Sequence, residues 1–257
     1  MKGLATAFRT LTVIPWTGKK GEDFSASLPW FPVVGLALGL ILYAIAYIWT
    51  LLPVSQWSAG AALLIVAIEI WLTRGLHLDG LADWADSIAG GNDREKRLAI
   101  MKDVRLGAFG VLALILAVMA KWLAFERILS AGSAIWLLFI LIVSRDMMVE
   151  LITTLPYARS GEGMARPFVT GASEKHRQAA HLLSLGFCVP FGPLGLAFMI
   201  LARLLTWMFR SRCQNRFGGI TGDLIGTANE MVEISLLVIC ALAGKGILCY
   251  TGWAWIF

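Results

Sequence analysis

Charged residues are scarce in this 257-residue chain: Asp, Glu, Lys and Arg make up 15% of it, and hydrophobic residues make up 58%. A soluble domain typically has about 25% charged residues and less than about half apolar ones. The mean hydropathy of +0.73 therefore argues against an ordinary water-soluble domain, because so many apolar side chains also need an apolar surface to face. The lipid bilayer is the expected solvent for this chain.

The chain also lacks a dividing linker and a typical cleavable signal. No polar or Pro/Gly/Ser-rich segment separates it, so residues 1–257 are predicted to form a single integral-membrane domain. Arg9 and Pro15 interrupt the first apolar stretch, and Lys19 and Lys20 stand where the small residues of a cleavage site are expected. Four apolar residues instead share one helical face and predict a short interfacial helix: Leu4, Ala7, Phe8 and Leu11.

Cysteine pairs with CxxC spacing are absent, and the four cysteines lie in or beside apolar runs: Cys188, Cys213, Cys240 and Cys249. They are predicted to be small core residues rather than zinc ligands or disulfides. The net charge of +5 is compatible with nucleic acid as a partner. In a membrane protein it is more typical of basic cytoplasmic loops, and we predict a lipid bilayer and no nucleic acid as partners.

Long apolar runs recur along the chain, and a spanning helix needs about 20 mostly apolar residues. They predict an all-α, polytopic transmembrane bundle of about seven spans. The predicted spans are Phe31–Leu52, Trp57–Thr73, Ala108–Phe125, Ala134–Thr153, Ala179–Pro190, Leu194–Phe209 and a last one from near Met231 to the C-terminus. The fifth and sixth flank an uncharged Phe-Gly-Pro turn and are predicted to form a hairpin.

Basic residues alternate between the connecting loops. They precede the first span and follow the second, fourth and sixth, whereas the turns Pro53–Gln56 and Val189–Pro193 carry no charge. Cytoplasmic loops of membrane proteins are enriched in Lys and Arg. The N-terminus and the long polar loops are therefore predicted to face the cytoplasm, with the polar loops forming the active site.

The most informative polar segment is GLHLDGLADWAD, residues 75–86. In a helix, Asp79, Asp83 and Asp86 share one face, where like charges repel each other by a few tenths of a kcal/mol per pair. A cation is expected to hold them together, and phosphate chemistry favours Mg²⁺ among the ions that prefer oxygen ligands. A solvated acidic face balanced by nearby basic residues is the alternative. His77 adjoins the acids as a candidate base or a structural histidine.

A second segment, IMKDVRLGAFG (100–110), places Lys102 and Arg105 one helical turn apart, with Asp103 between them. A basic pair opposite an acidic cluster suits a diphosphate, and an arginine can bind its oxygens in bidentate fashion. The alternative is a basic flank that orients the following span.

A third segment, RFGGITGDLIGTANE (216–230), combines glycines that permit tight turns around an anion with acids that continue into a helix. Acids entering an apolar span are costly and usually functional, which marks Asp223, Glu230 and Glu233. A helix-capping role for Thr221 or Asp223 is the alternative and is compatible with a functional one.

Other polar residues carry weaker signals. The Gly-rich segment 157–168 contains Arg159 and Arg166, either as a substrate lid or as a surface loop. Arg145 and Asp146 interrupt the fourth apolar run, where we expect an ion pair facing the bundle. Glu69 is expected to face inward from the second span, and His181 has no discernible signal.

Three ordered motifs, GLHLDGLADWAD (75–86), IMKDVRLGAFGVLAL (100–114) and GGITGDLIGTANE (218–230), resemble the most distinctive stretches of the cobalamin synthase family. TLTVIPW (10–16) and FPVVGLALG (31–39) resemble the opening of the same family. The resemblance implies a magnesium-dependent membrane transferase of the bacterial cytoplasmic (inner) membrane. It also implies that a ribose hydroxyl of α-ribazole or its 5′-phosphate attacks adenosylcobinamide-GDP and releases GMP.

The resemblance also suggests residue roles. Asp79, Asp83 and Asp86 match the family's aspartate motif and are predicted catalytic residues and Mg²⁺ ligands, together with Asp223 as a ligand. The predicted substrate-binding residues are Lys102, Asp103, Arg105, Arg166, Thr221 and Glu230. The chain departs from the family pattern at Trp84, where a small residue is common, and at Leu224 and Ile225. A homo-oligomer or a complex with other enzymes of the pathway is compatible with the sequence.

Two other functions fit part of the pattern. A CDP-alcohol phosphotransferase also uses aspartates at a cytoplasmic helix end, but its DGxxAR motif is missing, because Asp79-Gly80 is followed by Ala82-Asp83. A divalent-cation transporter is expected to carry acids near the middle of the membrane, whereas most acids here are predicted at cytoplasmic ends.

Overall fold

A computed structural model of the protein describes residues 2–16, 23–248 and 252–253. These residues form eleven α-helices and two short 3₁₀ helices, at Ser25–Trp30 and Val189–Phe191. The helices are α1 (Lys2–Leu11), α2 (Phe31–Thr50), α3 (Ser58–Thr73), α4 (Leu76–Gly90), α5 (Arg94–Ile100), α6 (Ala108–Ser130), α7 (Trp136–Thr154), α8 (Arg166–Thr170), α9 (Glu174–Cys188), α10 (Gly192–Phe217) and α11 (Gly222–Leu248). In the described residues the β-type pairing is one isolated bridge, Tyr157 to Ile220. The all-α prediction is confirmed.

Four helical stretches are long and apolar enough to cross a membrane: 25–50, 108–130, 174–217 and 222–248. The bent pair α3–α4 raises the number to five if it counts as one span. α7 is 19 residues long but carries Arg145, Asp146 and Glu150, so it lacks the usual composition of a span. The prediction of about seven spans is not confirmed by this count and stays a prediction.

The 44-residue stretch 174–217 would measure about 66 Å as a straight helix, roughly twice the apolar thickness of a bilayer. Gly192 breaks it with φ of +70°. Phe191 and Phe198, on the two sides of this break, both pack on Trp136 at the start of α7. His181 of α9 and Arg210 of α10 both reach the last two turns of α7. The chain therefore reverses direction at the predicted Phe-Gly-Pro turn.

Contacts at helix ends show that neighbouring long helices alternate in direction. Ser58, at the start of α3, donates a hydrogen bond to Glu126 near the end of α6. Trp136, at the start of α7, donates to the carbonyl of Leu248 at the end of α11. The ends of α3, α7 and α10 thus lie at the same end of the bundle as the starts of α6, α9 and α11.

A sharp corner joins α3 to α4. Arg74 and Gly75 both adopt left-handed backbone conformations, with φ of +58° and +63°, and the helices meet at 88°. The Arg74 guanidinium donates to the carbonyls of Arg9 and Thr10, which attaches this corner to α1. We place α4 across the end of the bundle, outside the apolar spans, because it turns away from α3 and carries three aspartates.

The outer surface of the bundle is strongly apolar. Large hydrophobic side chains remain exposed on several helices, among them Leu63, Trp71, Leu116, Ile200 and Leu242. Soluble monomers rarely expose apolar surface on this scale, and lipid is the solvent that such a surface requires. The composition and the packing therefore agree that the protein is a multi-pass membrane protein.

The predicted N-terminal helix is confirmed as α1. Ala7, Phe8 and Leu11 are buried, and Leu4 is partly buried, on the face that packs against the bundle. Lys19, Lys20 and Cys249 lie outside the described residues. Cys188, Cys213 and Cys240 are free and buried, as predicted for core residues.

Candidate active site at the acidic end of the bundle

The helix α4 carries Asp79, Asp83 and Asp86 along one side at the end of the bundle, which we call the acidic end. Asp79 is exposed and Asp83 is partly buried. Neither of these two carboxylates accepts a hydrogen bond from another described residue. They are therefore available to a ligand.

Asp86 has different surroundings from the other two aspartates. Its two carboxylate oxygens accept hydrogen bonds from the backbone N–H groups of Gly107 (2.7 Å) and Gly110 (2.8 Å) at the start of α6. A β-carbon at either glycine would come within 2.4 Å of a carboxylate oxygen of Asp86. Asp86 thus caps α6 and fixes α4 against it, whereas the sequence predicted a metal ligand.

A close helix contact brings a fourth aspartate to this face. A β-carbon at Gly80 of α4 would lie 2.5 Å from the carbonyl oxygen of Asp223 in the first turn of α11. The Thr227 hydroxyl lies within hydrogen-bonding distance of the carbonyls of Gly80 and Asp223. Because only glycine permits this approach, Gly80 places Asp223 next to Asp83.

Asp223 is held by an arginine from the loop after α7. Arg159 donates a hydrogen bond of 2.7 Å to Asp223 Oδ2 and another of 3.1 Å to the carbonyl of Met101. The loop is anchored by backbone hydrogen bonds of Ile220 with Pro156 and Ala158. Arg159 Nε is buried and has no hydrogen-bond partner in the described structure, which leaves one donor for an anion.

The carboxylates are close enough to influence each other. Burial, followed by the negative charges of Asp223 and Asp79, raises the pKa of Asp83 to about 7, against an ordinary value of 3.8. The Arg159 guanidinium lowers this pKa, but by less. A carboxyl group with a pKa near 7 exchanges protons at physiological pH and is stabilised in its charged form by an added cation.

The sequence predicts a magnesium site formed by Asp79, Asp83, Asp86 and Asp223. Among the described residues, no group of three or more His, Cys, Asp or Glu side chains is arranged to hold a metal ion. Mg²⁺ usually takes one or two protein carboxylates and completes its shell with water and substrate phosphates. The unpartnered carboxylates of Asp79 and Asp83, beside Asp223, fit that partial set of ligands, and Asp86 does not, because it caps α6.

The predicted basic residues lie at the surface around the acidic end. Lys102 is exposed, and its side-chain ammonium has no hydrogen-bond partner in the described residues. Arg105, which is exposed, forms an ion pair of 2.6 Å with Asp103, which is partly exposed. This pairing holds the pKa of Asp103 near 2. Arg166 is exposed and bonds to the carbonyl of Gly161. Of the two loop arginines, the structure brings Arg159, not Arg166, to the aspartates.

Thr221 caps α11, which is one of the two roles that the sequence allows for it. Its buried hydroxyl accepts a hydrogen bond from the backbone N–H of Leu224 and lies 3.3 Å from Asp223 Oδ2. It therefore starts α11 and orients Asp223 at the same time.

Glu230 and His77 lie inside the bundle rather than on the surface of the acidic end. His77 is buried, and its Nδ1 lies 3.0 Å from the Asn229 amide nitrogen. Glu230 is buried, with Oε2 3.0 Å from Lys121 Nζ. These positions are typical of residues that orient other groups, whereas the sequence predicts catalysis for His77 and substrate binding for Glu230.

Glu230 belongs to a buried ion cluster that joins α3, α6, α7 and α11. We define it by its members: Glu69, Lys121, Arg145, Glu230 and Glu233. Lys121 Nζ also lies 2.9 Å from Glu69 and 2.6 Å from Glu233, and Arg145 pairs with Glu233. The inward orientation predicted for Glu69 is confirmed. Lys121 was missed, although a lysine in the middle of an apolar run is itself a signal.

The expected ion pair between Arg145 and Asp146 is wrong. Arg145 turns to Glu233, and Asp146 instead accepts from His181 at 2.7 Å. The other ring nitrogen of His181 lies 2.9 Å from Glu150. Consecutive residues on a helix point about 100° apart, so each finds a partner on a different neighbouring helix.

Comparison with known proteins gives one consistent result. The family model described as cobalamin-5-phosphate synthase matches residues 3–241. Two similar relatives, from Prosthecochloris aestuarii and Chlorobium phaeobacteroides, are 42% identical over 245 residues and 41% identical over 246 residues. The aligned regions cover 94% and 93% of this chain and 97% and 96% of the relatives.

A relative from Syntrophobacter fumaroxidans is 40% identical over 248 residues, with 93% of this chain and 97% of the relative aligned. All three relatives are named adenosylcobinamide-GDP ribazoletransferase. No solved structure matches this chain.

Proposed function

The chain belongs to the cobalamin-5-phosphate synthase family, and on that basis we propose that it joins adenosylcobinamide-GDP to α-ribazole or its 5′-phosphate. A ribose hydroxyl of the ribazole forms a bond to the cobinamide-side phosphorus. The bond from that phosphorus to the GMP oxygen breaks, and GMP leaves. The product is adenosylcobalamin or its 5′-phosphate.

The acidic end supplies the groups that this phosphoryl transfer requires. Asp79 and Asp83, with Asp223 beside them, would hold Mg²⁺ against the diphosphate. When bound, the ion neutralises negative charge on the transferring phosphorus and its leaving group. An aspartate that remains free accepts the proton of the attacking hydroxyl.

Arginines and lysines around the acids would hold the diphosphate. Arg159 is oriented by Asp223 and keeps Nε without a partner. Lys102, Arg105 and Arg166 are exposed beside the same end and are proposed to reach the GDP part of the substrate when it is bound. Charge-assisted hydrogen bonds of this kind are strong and geometrically specific.

The observation that carries the proposal is the pair of unpartnered carboxylates, Asp79 and Asp83, on a chain that aligns with named transferases over more than nine-tenths of its length. The alternative of a CDP-alcohol phosphotransferase is not supported, because the names of the relatives refer to adenosylcobinamide-GDP and not to a CDP-alcohol. The transporter reading loses its support because the acids inside the bundle are paired with Lys121 and Arg145.

The test is GMP release by the protein purified in detergent. We expect release to require adenosylcobinamide-GDP, α-ribazole 5′-phosphate and Mg²⁺, and to fall by at least about a hundredfold in Asp79→Asn and Asp83→Asn, because charge stabilisation of this kind contributes several kcal/mol. Glu95→Gln removes an exposed carboxylate at the start of α5 and should be neutral. GMP release that is unaffected by EDTA or by both Asn substitutions would overturn the proposed site.

A further inference from the structure

A groove of about 380 Å³ opens between α4, α10 and α11. We call it the Trp84 groove. Its walls are apolar, formed by Trp84, Ile88, Phe209, Phe217 and Met231. This volume falls in the usual range for small-molecule pockets.

Two arginines line the rim of the Trp84 groove. Arg212 and Arg216 are four residues apart on α10 and therefore lie on the same helical face. Both side chains are exposed, and neither guanidinium forms a hydrogen bond or an ion pair with another described residue. An apolar groove with two unpartnered cations suits a ligand that has a flat apolar body and a phosphate.

The groove shares helix α4 with the aspartates, because Trp84 is one of its lining residues. Trp84 directly follows Asp83, so their Cα atoms are about 3.8 Å apart, and their side chains point to neighbouring faces of α4. The groove and the Asp83 carboxylate therefore lie on adjacent sides of the same helix, about 100° apart around its axis. The edge-to-face pair of Trp84 and Phe209, with ring centroids 6.1 Å apart, gives the groove a rigid aromatic side.

We propose that the Trp84 groove binds the acceptor substrate, α-ribazole 5′-phosphate, with its base against Trp84 and its phosphate at Arg212 and Arg216. This inference rests on the proposed function. The dimethylbenzimidazole base of ribazole has a large apolar ring, which matches the apolar walls. A guanine base needs several hydrogen-bond partners for its polar edge, and the groove walls offer no amide or carboxylate side chain.

Separate measurements with two acceptors test the two halves of the groove. Arg212→Gln and Arg216→Gln should each raise KM for α-ribazole 5′-phosphate about tenfold, the loss expected for one partly solvated charge-assisted hydrogen bond. KM for unphosphorylated α-ribazole should stay unchanged. Trp84→Leu should raise KM for both acceptors alike, because both carry the same base.

Lys175→Gln is the matched control, since it removes one exposed positive charge at the same end of the bundle but outside the groove. Binding provides a second measurement that does not depend on turnover. In equilibrium dialysis with EDTA and without nucleotide, the wild type should retain labelled α-ribazole 5′-phosphate. The double variant Arg212→Gln/Arg216→Gln should bind it at least about tenfold more weakly.

Three results would overturn the inference. The arginine variants could raise KM for adenosylcobinamide-GDP instead, which would place GMP in the groove. They could change only the response to vesicles containing phosphatidylglycerol, which would identify a lipid phosphate site. The arginine variants could also leave KM for both acceptors unchanged while the wild type transfers normally. The acceptor site would then lie outside the groove, and the proposed function would stand. Absence of transfer by the folded wild type would instead contradict the proposed function itself.

Discussion

Asp79, Asp83 and Asp86 share one side of α4, but the structure gives them different tasks. Asp86 accepts two backbone hydrogen bonds from the start of α6, so its charge is used to hold two helices together. Asp79 and Asp83 have no such partner among the described residues. Spacing along a helix shows which residues share a face, whereas their availability depends on what packs against that face.

Asp83 should make the stability of the metal-free protein depend on pH. Its folded-state pKa of about 7 lies above the ordinary value of 3.8, so between these values the folded state binds a proton that the unfolded state releases. Stability from this group is therefore present at low pH and falls as the pH rises towards 7. We expect Asp83→Asn to be more stable than the wild type at pH 8 in EDTA, with the difference shrinking towards pH 4.

Thermal unfolding in detergent at several pH values measures this effect. Glu95→Gln should follow the wild type at every pH, because it removes an exposed carboxylate of α5 rather than one of the α4 aspartates. Added Mg²⁺ should stabilise the wild type and leave Asp83→Asn nearly unchanged. An Asn variant that is less stable than the wild type at pH 8 without metal would contradict the raised pKa.

At the scale of helices, the buried ion cluster connects α3, α6, α7 and α11. Its three carboxylates face two cations, Lys121 and Arg145. Buried charges are costly unless they are paired, and removing one partner leaves an uncompensated charge. The cluster therefore helps to fix how these helices pack, and Asn229, next to Glu230 on α11, contacts His77 of α4.

Lys121→Met should reduce the free energy of unfolding by about 3–5 kcal/mol, since it leaves three buried acids around Arg145 alone. Glu69→Gln should cost only about 1–2 kcal/mol, because it keeps a hydrogen-bonding group and equalises the numbers of acids and cations. Denaturation in mixed micelles compares the two variants, with Lys96→Met as the exposed control. Equal losses for Lys121→Met and Glu69→Gln would show that charge balance is not what stabilises the cluster.

At the scale of the whole molecule, the polar and charged loop residues lie mainly at one end of an apolar bundle. The starts of α6, α9 and α11 and the ends of α3, α7 and α10 meet there, together with α4 and α5. The long basic loops lie at this end, and the short uncharged turns Pro53–Gln56 and Val189–Pro193 lie at the other. The positive-inside rule then predicts that the acidic end faces the cytoplasm.

Cysteine labelling in intact cells tests this orientation. In a variant whose four native cysteines are replaced by Ser or Ala, Gln56→Cys should react with a membrane-impermeant thiol reagent from outside. Lys96→Cys, at the acidic end, should react only after the membrane is opened. The reverse pattern would invert the proposed orientation.

The amino-acid sequence alone indicates the lipid solvent, the helical element type and the three polar segments. Apolar runs predict the long helices, because a membrane-spanning segment must satisfy its backbone N–H and C=O groups with hydrogen bonds of its own. Most helix ends fall within a few residues of the predictions, for example Phe31 and Thr73. The three ordered motifs also indicated the family, because they depend on local residue identity rather than on packing.

The packing of the helices, which no local pattern reveals, shows which polar side chains keep free polar atoms at the acidic end and which hold the bundle together. Asp86, Thr221, His77 and Glu230 look functional in the sequence, but their polar atoms are directed at backbone groups or buried partners. Arg159 becomes part of the site because the 156–158 segment pairs with Ile220, a contact that spans more than sixty residues. Such partners come from helices far apart in the chain, so no local pattern reveals them.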